Sequence, residues 1–215
     1  MKGLLLKDWY QVKTNMRMMY LTVLAVLAIW TLSTSGDSSF AVNYSAVFLG
    51  IMPAYLLSYD HASGWTEYSF ALPLSKELQV AEKYLVGLLC TAVSAALNGI
   101  FCGILFWMGK PLPAMPIGLL LGAGAASILL INGIMLPLYY RFGAEKARML
   151  YMLMFAGMGA ALGGGAVMDE LQQNGTGSGP LPVPLWLAAV LLLAVLALYA
   201  VSWRVSVAWY GKYKK

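Results

Sequence analysis

Residues 185–203 read LWLAAVLLLAVLALYAVSW, a run without an acidic, basic or histidine side chain. An α-helix rises 1.5 Å per residue, so the run covers ~28 Å, close to the ~30 Å hydrocarbon core of a bilayer. It does not alternate apolar and polar residues, as a membrane β-strand of about ten residues would. In lipid a helix satisfies its own backbone N–H and C=O groups. The stretch is predicted to cross a membrane as a helix, and it sets the ruler for the rest of the chain.

Five more blocks lack Asp, Glu, Lys, Arg and His: Met18 to Ser35, Phe40 to Tyr59, Tyr84 to Met108, Pro116 to Tyr140 and Met149 to Met168. With Leu185 to Trp203 they make six predicted spans. The composition agrees, with 60% hydrophobic and 11% charged residues and a mean hydropathy of +0.72, well outside the range of soluble domains. The expected fold is an all-α integral membrane protein of six transmembrane helices, one domain over residues 1–215.

Cytoplasmic loops collect Lys and Arg. Lys2, Lys7, Lys13 and Arg17 precede span one; Lys76 and Lys83 follow span two; Arg141, Lys146 and Arg148 follow span four; Arg204, Lys212, Lys214 and Lys215 follow span six. Thirteen of the fourteen basic residues therefore fall on one side, leaving Lys110 opposite. Both termini are expected on the cytoplasmic side of the membrane. The net charge of +5 follows from this topology, and no nucleic-acid partner is expected.

The first apolar run starts after seventeen mixed residues and lacks an A-x-A-like site, which argues against a cleavable signal peptide. Before it, Leu5, Trp9, Val12 and Met16 form a stripe about 60° wide at 100° per residue. This predicts an interfacial amphipathic helix touching membrane lipids, with Trp9 at headgroup depth. The alternative is a helical extension of span one.

No catalytic, cofactor-binding or metal-ligating set is legible. There is no GxxxxGK[ST] phosphate loop, so this chain is not expected to bind ATP in that manner. His61 has no ligand-spaced companion, and Cys90 and Cys102 lie too far apart along one helix to pair. Ion-coupled transporters place charges inside their spans, and these spans carry none. Asn43, Asn98 and Asn132 are expected to make interhelical hydrogen bonds. With no filter-like segment either, a pump built this way takes its energy from a partner.

The longest inside loop reads DHASGWTEYSFALPLSKELQVAEK, Asp60 to Lys83. Its run Phe70-Ala-Leu-Pro-Leu-Ser-Lys-Glu, followed by Val80, Lys83 and Tyr84, resembles the segment between spans two and three of bacterial ABC-2-type permeases; Ala71 and Gln79 depart mildly from that pattern. The start KGLLLKDWY and the end SWRVSVAWYGKYKK extend the resemblance.

On physical grounds Leu72 before Pro73 stays extended, Ser75 caps a helix starting at Lys76, and Glu77 sits well in its first turn. Trp65, Tyr68 and Phe70 are more apolar than a free loop needs, which points to a dock on a partner or on headgroups. Under the resemblance, Trp65, Tyr68, Phe70, Leu72, Pro73, Ser75, Lys76 and Glu77 form a short coupling helix on an ATPase subunit. A plain interfacial re-entry helix is the alternative.

The resemblance further implies two permease copies, identical or paralogous, and two ATPase subunits that bind ATP and Mg. The path between the permeases would be lined by spans two and five. Tyr44, Phe48, Ile51, Tyr55 and Tyr59 make one stripe on span two, and Tyr151, Met154, Phe155, Met158 and Leu162 recur at helical spacing on span five. Such linings suit an amphipathic peptide or other lipophilic cargo, as in exporters of phenol-soluble-modulin-like peptides or lantibiotics. Tyr44, Phe48, Ile51, Tyr55, Tyr151, Met154, Phe155 and Met158 are the candidate cargo contacts; packing is the competing role.

Gly99-xxx-Gly103, Gly118-xxx-Gly122 and Gly159-xxx-Gly163 permit close helix approach and are expected to pack within the subunit. Pro53 and Pro137 are expected to kink spans two and four. An ATPase-independent scaffold or immunity protein is the rival function; an intramembrane lipid-modifying enzyme ranks last, since only Asn, Ser, Thr and Tyr lie at depth.

Overall fold

The computed structural model describes residues 2–32, 39–73, 75–110, 112, 116–172 and 185–210. It describes their side chains except at Lys2, Ser39, Phe40, Asn43, Phe70, Ala144, Arg148 and Tyr151 and in residues 154–172 and 185–188. All regular elements there are α-helices: α1 Lys2–Asn15, α2 Arg17–Leu32, α3 Ser39–Ala62, α4 Trp65–Ala71, α5 Lys76–Trp107, α6 Ile117–Gln172 and α7 Leu185–Tyr210. Among the described residues, three stretches are long and apolar enough to cross a bilayer, Lys76–Trp107, Ile117–Gly143 and Ala189–Tyr210, and α1 with α2 would make a fourth as a bent pair.

The amphipathic start is a helix of its own. α1 meets α2 at an angle of 65°. Leu5, Val12 and Met16 pack with Met52, Leu56, Val86 and Cys90, so the stripe is turned against α3 and α5. Trp9, about 40° round from Leu5 at 100° per residue, stays exposed.

α6 is the central post, packed on α3, α5 and α7. Both α3 and α6 continue through their prolines, Pro53 and Pro137. The expected loop from Arg141 to Arg148 is instead helical, interrupted at Gly143 with φ 81° and ψ 171°. Only a residue without a Cβ takes that φ readily, so one glycine separates the fourth and fifth apolar segments. Gly64, with φ 72°, does the same between α3 and α4.

The glycine motifs make no close approach to the described residues: a Cβ at Gly99, Gly103, Gly118 or Gly122 would meet nothing among them within 4 Å. The close approaches are at Gly50, where a Cβ would lie 3.4 Å from Ile128 Cα, and at Gly87, where it would lie 2.5 Å from the Tyr199 hydroxyl. The seams run α3 to α6 and α5 to α7, and glycine spacing alone does not reveal which face is inward. Gly159 and Gly163 lie outside the described side chains.

Ser45 Oγ of α3 donates to Asn98 Oδ1 of α5 at 2.8 Å, the expected bond between helices. Asn132 instead donates within its own helix to the Ile128 carbonyl at 3.0 Å. Asn43 lies outside the described side chains. Cys90 and Cys102 are buried free thiols.

Candidate functional site

α5 holds 32 residues, ~48 Å at helical rise against a ~30 Å core. Its charges, Lys76, Glu77, Glu82 and Lys83, fall in its first eight positions. The overhang is therefore at its N-terminal end, and Glu82 and Lys83 stand outside the hydrocarbon.

Helical geometry brings charges from three elements together there. On α1, Asp8 falls at about −60° when Leu5 is set to zero, between Leu4 and Val12, and so points into the protein with them. Lys83 Nζ lies 2.8 Å from Asp8 Oδ1 and 2.7 Å from Asp60 Oδ2. Lys7 Nζ lies 2.7 Å from Asp60 Oδ1 and 3.0 Å from Asp8 Oδ1. Asp8, Asp60, Glu82 and Lys83 are only 2%, 4%, 3% and 2% exposed. Two ammonium groups and two carboxylates thus bolt α1 to α3 and α5.

Burial by itself opposes every charge in this cluster. For Asp8 the attraction of Lys83, with that of Lys7 added, outweighs burial and holds its carboxyl below the ordinary range. For Lys83 burial is again the largest influence, but the Asp60 and Asp8 carboxylates push its ammonium above the usual value. Both groups are charged at neutral pH.

α4 joins the same junction. Lys7 Nζ sits 4.8 Å from the centre of the Trp65 ring, a cation–π contact. Buried Ser69 lies 3.5 Å from the Tyr210 hydroxyl of α7. Gln79 Nε2 donates to the Ser69 carbonyl at 3.2 Å, and the Tyr210 hydroxyl donates to Gln79 Oε1. α4 is therefore held to α1, α5 and α7 at once. Beneath it lies a cavity of about 60 Å³ whose lining includes Asp60, His61, Trp65, Glu82, Tyr140 and Tyr210.

The loop was expected to carry one short helix from Lys76. The structure places the short helix earlier, at Trp65–Ala71, and runs Lys76 straight into α5. An uninterrupted run of helix-compatible residues after Ser75 gives nothing to stop that helix. The local chemistry holds: Leu72 is extended at φ −81° and ψ 147°, and Ser75 accepts from the Leu78 N–H. Trp65 is half-buried and its ring lies 5.5 Å from that of Tyr68, which is 58% exposed. Leu72 is half-buried, while Pro73, Ser75, Lys76 and Glu77 are exposed. The Phe70 side chain lies outside the described residues.

On α3 the Tyr44 and Phe48 rings lie 4.5 Å apart, and Phe48 packs on the cluster of Val23, Leu27 and Phe101. Ile51 is half-buried and Tyr55 is exposed. The stripe divides into a packed half and an open half. Tyr151, Met154, Phe155 and Met158 are on the helix after Gly143, and their side chains lie outside those described.

Sequence reading missed Asp8, Asp60 and Glu82 as a unit and took Lys7 and Lys83 as topology markers. The available signal was an acid in the middle of an apolar stripe, as Asp8 is on α1. Ser69, Gln79 and Tyr210 carry no such signal.

A family model described as ABC-2 family transporter protein matches residues 3–211. No curated protein and no solved structure matches the chain.

Proposed function

The chain belongs to the ABC-2 family of transporter proteins, and from that premise we propose that it is the six-span permease of a bacterial exporter powered by separate ATPase subunits. As a member of that family it is a membrane permease and a transport subunit. In our reading the charged end faces the cytoplasm with both termini, and two permease copies frame the path.

One observation carries the coupling part of this reading. α4 presents Tyr68 to solvent while its inner side is fastened to α1, α5 and α7. A helix exposed on one side and fixed on the other transmits force from a docked partner into the bundle. Binding energy at such docks concentrates in a few aromatic anchors, and Trp65, Tyr68 and Phe70 are the candidates. Lys76 and Glu77 at the start of α5 form the polar rim.

The cargo is proposed to be an amphipathic peptide or similar lipophilic molecule, moved from the cytoplasm or inner leaflet. The support is the aromatic stripe on α3, with Tyr55 open and no charge within the apolar segment. The test is reconstitution of the chain with the ATPase that copurifies with it. ATP-dependent movement of an amphipathic peptide supports the reading; stable purification with no ATPase, and no such movement, contradicts it.

A further inference from the structure

Acids and bases do not balance at the charged end. Lys7 and Lys83 offset Asp8 and Asp60, and Glu82 is a fifth charge. It is 3% exposed. Among the described residues its Oε1 has no hydrogen-bond partner, and it stands 3.9 Å from Lys83 Nζ, which already donates to Asp8. An ionised carboxylate in that position would be buried with only an already engaged ammonium to offset it, which favours the neutral acid.

The surroundings name the missing charge. The negative charge of Asp8 adds to burial in favouring the protonated form of Glu82, because two neighbouring carboxylates repel unless one carries a proton. Lys7 and Asp8 face it from α1, Asp60 from α3, Lys83 from α5, and the phenols of Tyr140 and Tyr210 from α6 and α7. Among these, Asp8 and Lys83 are held in their charged forms. Glu82 lines the cavity beneath α4, which has room for water.

We propose that Glu82 is a proton-binding site: the acid is neutral in the folded protein, beside the Asp8 carboxylate, and exchanges its proton with solvent through the cavity. The step balances simply. A cavity water gives its proton to a Glu82 oxygen and regains one from bulk water. Losing the proton puts a second negative charge beside Asp8 and loosens the tie that holds α1 to the bundle. The site stands apart from the transport reading, since it needs only this chain.

Burial, the largest influence, pushes the Glu82 carboxyl from 4.5 up to about 7, with Lys83 opposing and Asp8 adding. A group raised on folding stabilises fully below its unfolded value, and that stability is lost as pH rises through the folded one. The window is therefore 4.5 to about 7. The full effect is roughly three hundredfold in the folding equilibrium.

The experiment uses the purified full-length chain in detergent, with His61→Asn in all samples because that side chain also lines the cavity. The unfolding midpoint is followed against pH, with and without Glu82→Gln, a permanently neutral isostere. Infrared spectra at each pH record the protonated-carboxyl stretch. Expected is a midpoint that falls between mildly acidic and mildly alkaline pH, a slope flattened by Glu82→Gln, and a carboxyl band absent from that variant. Equal slopes with and without Glu82→Gln would overturn the proposal. If Glu82→Gln does not fold, the parent spectrum decides: a protonated-carboxyl band that disappears as pH rises supports it, and no such band at mildly acidic pH overturns it.

Discussion

Asp8 and Lys83, 75 residues apart in sequence, pair at 2.8 Å through both carboxylate oxygens. That contact joins the first helix to the start of α5. Removing one partner of a buried pair leaves the other uncompensated, at about 3–5 kcal/mol. Lys83→Met is therefore expected to lower stability by that order, and Asp8→Asn in the same molecule to recover ~1 kcal/mol or more. A double-mutant cycle on unfolding in detergent measures it; strict additivity would mean the pair does not couple.

Gly87 lies against Tyr199, whose hydroxyl donates to the Tyr84 carbonyl at 2.8 Å. Gly87→Ala forces that hydroxyl away and is expected to cost about 1–3 kcal/mol. Gly103→Ala, whose Cβ would meet none of the described residues within 4 Å, is expected to be neutral or slightly stabilising through helix propensity. Thermal unfolding of the two variants side by side checks the contrast, and equal losses would place the α5–α7 seam elsewhere.

Much of the fold was legible in the apolar blocks because length and hydropathy report the membrane directly. Leu72, Pro73 and Ser75 were legible because the conformation of their backbone is set by neighbours one to three residues away. The position of the short helix was not, since WTEYSFA starts after Gly64 with no side-chain cap to announce it. The ionic cluster escaped for another reason. Asp8, Asp60 and Lys83 stand at the ends of different apolar segments, and only packing of α1 across α3 and α5 brings them together. Counting Lys and Arg for topology treated two of its members as solvated.

Orientation is open to labelling. Gly64 and Gly143 make poor cysteine sites, because their positive φ disfavours a side chain; Ser63 and Glu145 are exposed alternatives. With Cys90 and Cys102 replaced by Ala, a cysteine at Leu112 is expected to react with an impermeant thiol reagent in intact cells, and ones at Ser63 and Glu145 are not. The reversed pattern would invert the topology.

On α3, Tyr55 is 43% exposed while Phe48 packs in the core. Tyr55→Ala is expected to change cargo selectivity with less than ~0.5 kcal/mol lost in stability, whereas Phe48→Ala costs about 2 kcal/mol or more. Export of a panel of amphipathic peptides, read beside unfolding midpoints, separates the two. Unchanged selectivity in Tyr55→Ala would leave this stripe a packing surface.

The central claim is that α4 receives force from an ATPase subunit and passes it into the bundle. Its most direct measurement is the ratio of cargo moved to ATP hydrolysed in reconstituted complexes carrying Tyr68→Ala or Pro73→Gly, with subunit retention recorded in the same preparations. Tyr68→Ala is expected to weaken ATPase association by ~1–3 kcal/mol, as loss of an aromatic anchor does. Pro73→Gly is expected to keep the subunits bound while the transport ratio falls, because the link from α4 to α5 loses its stiffness. Wild-type association, hydrolysis and transport in both variants would contradict the claim.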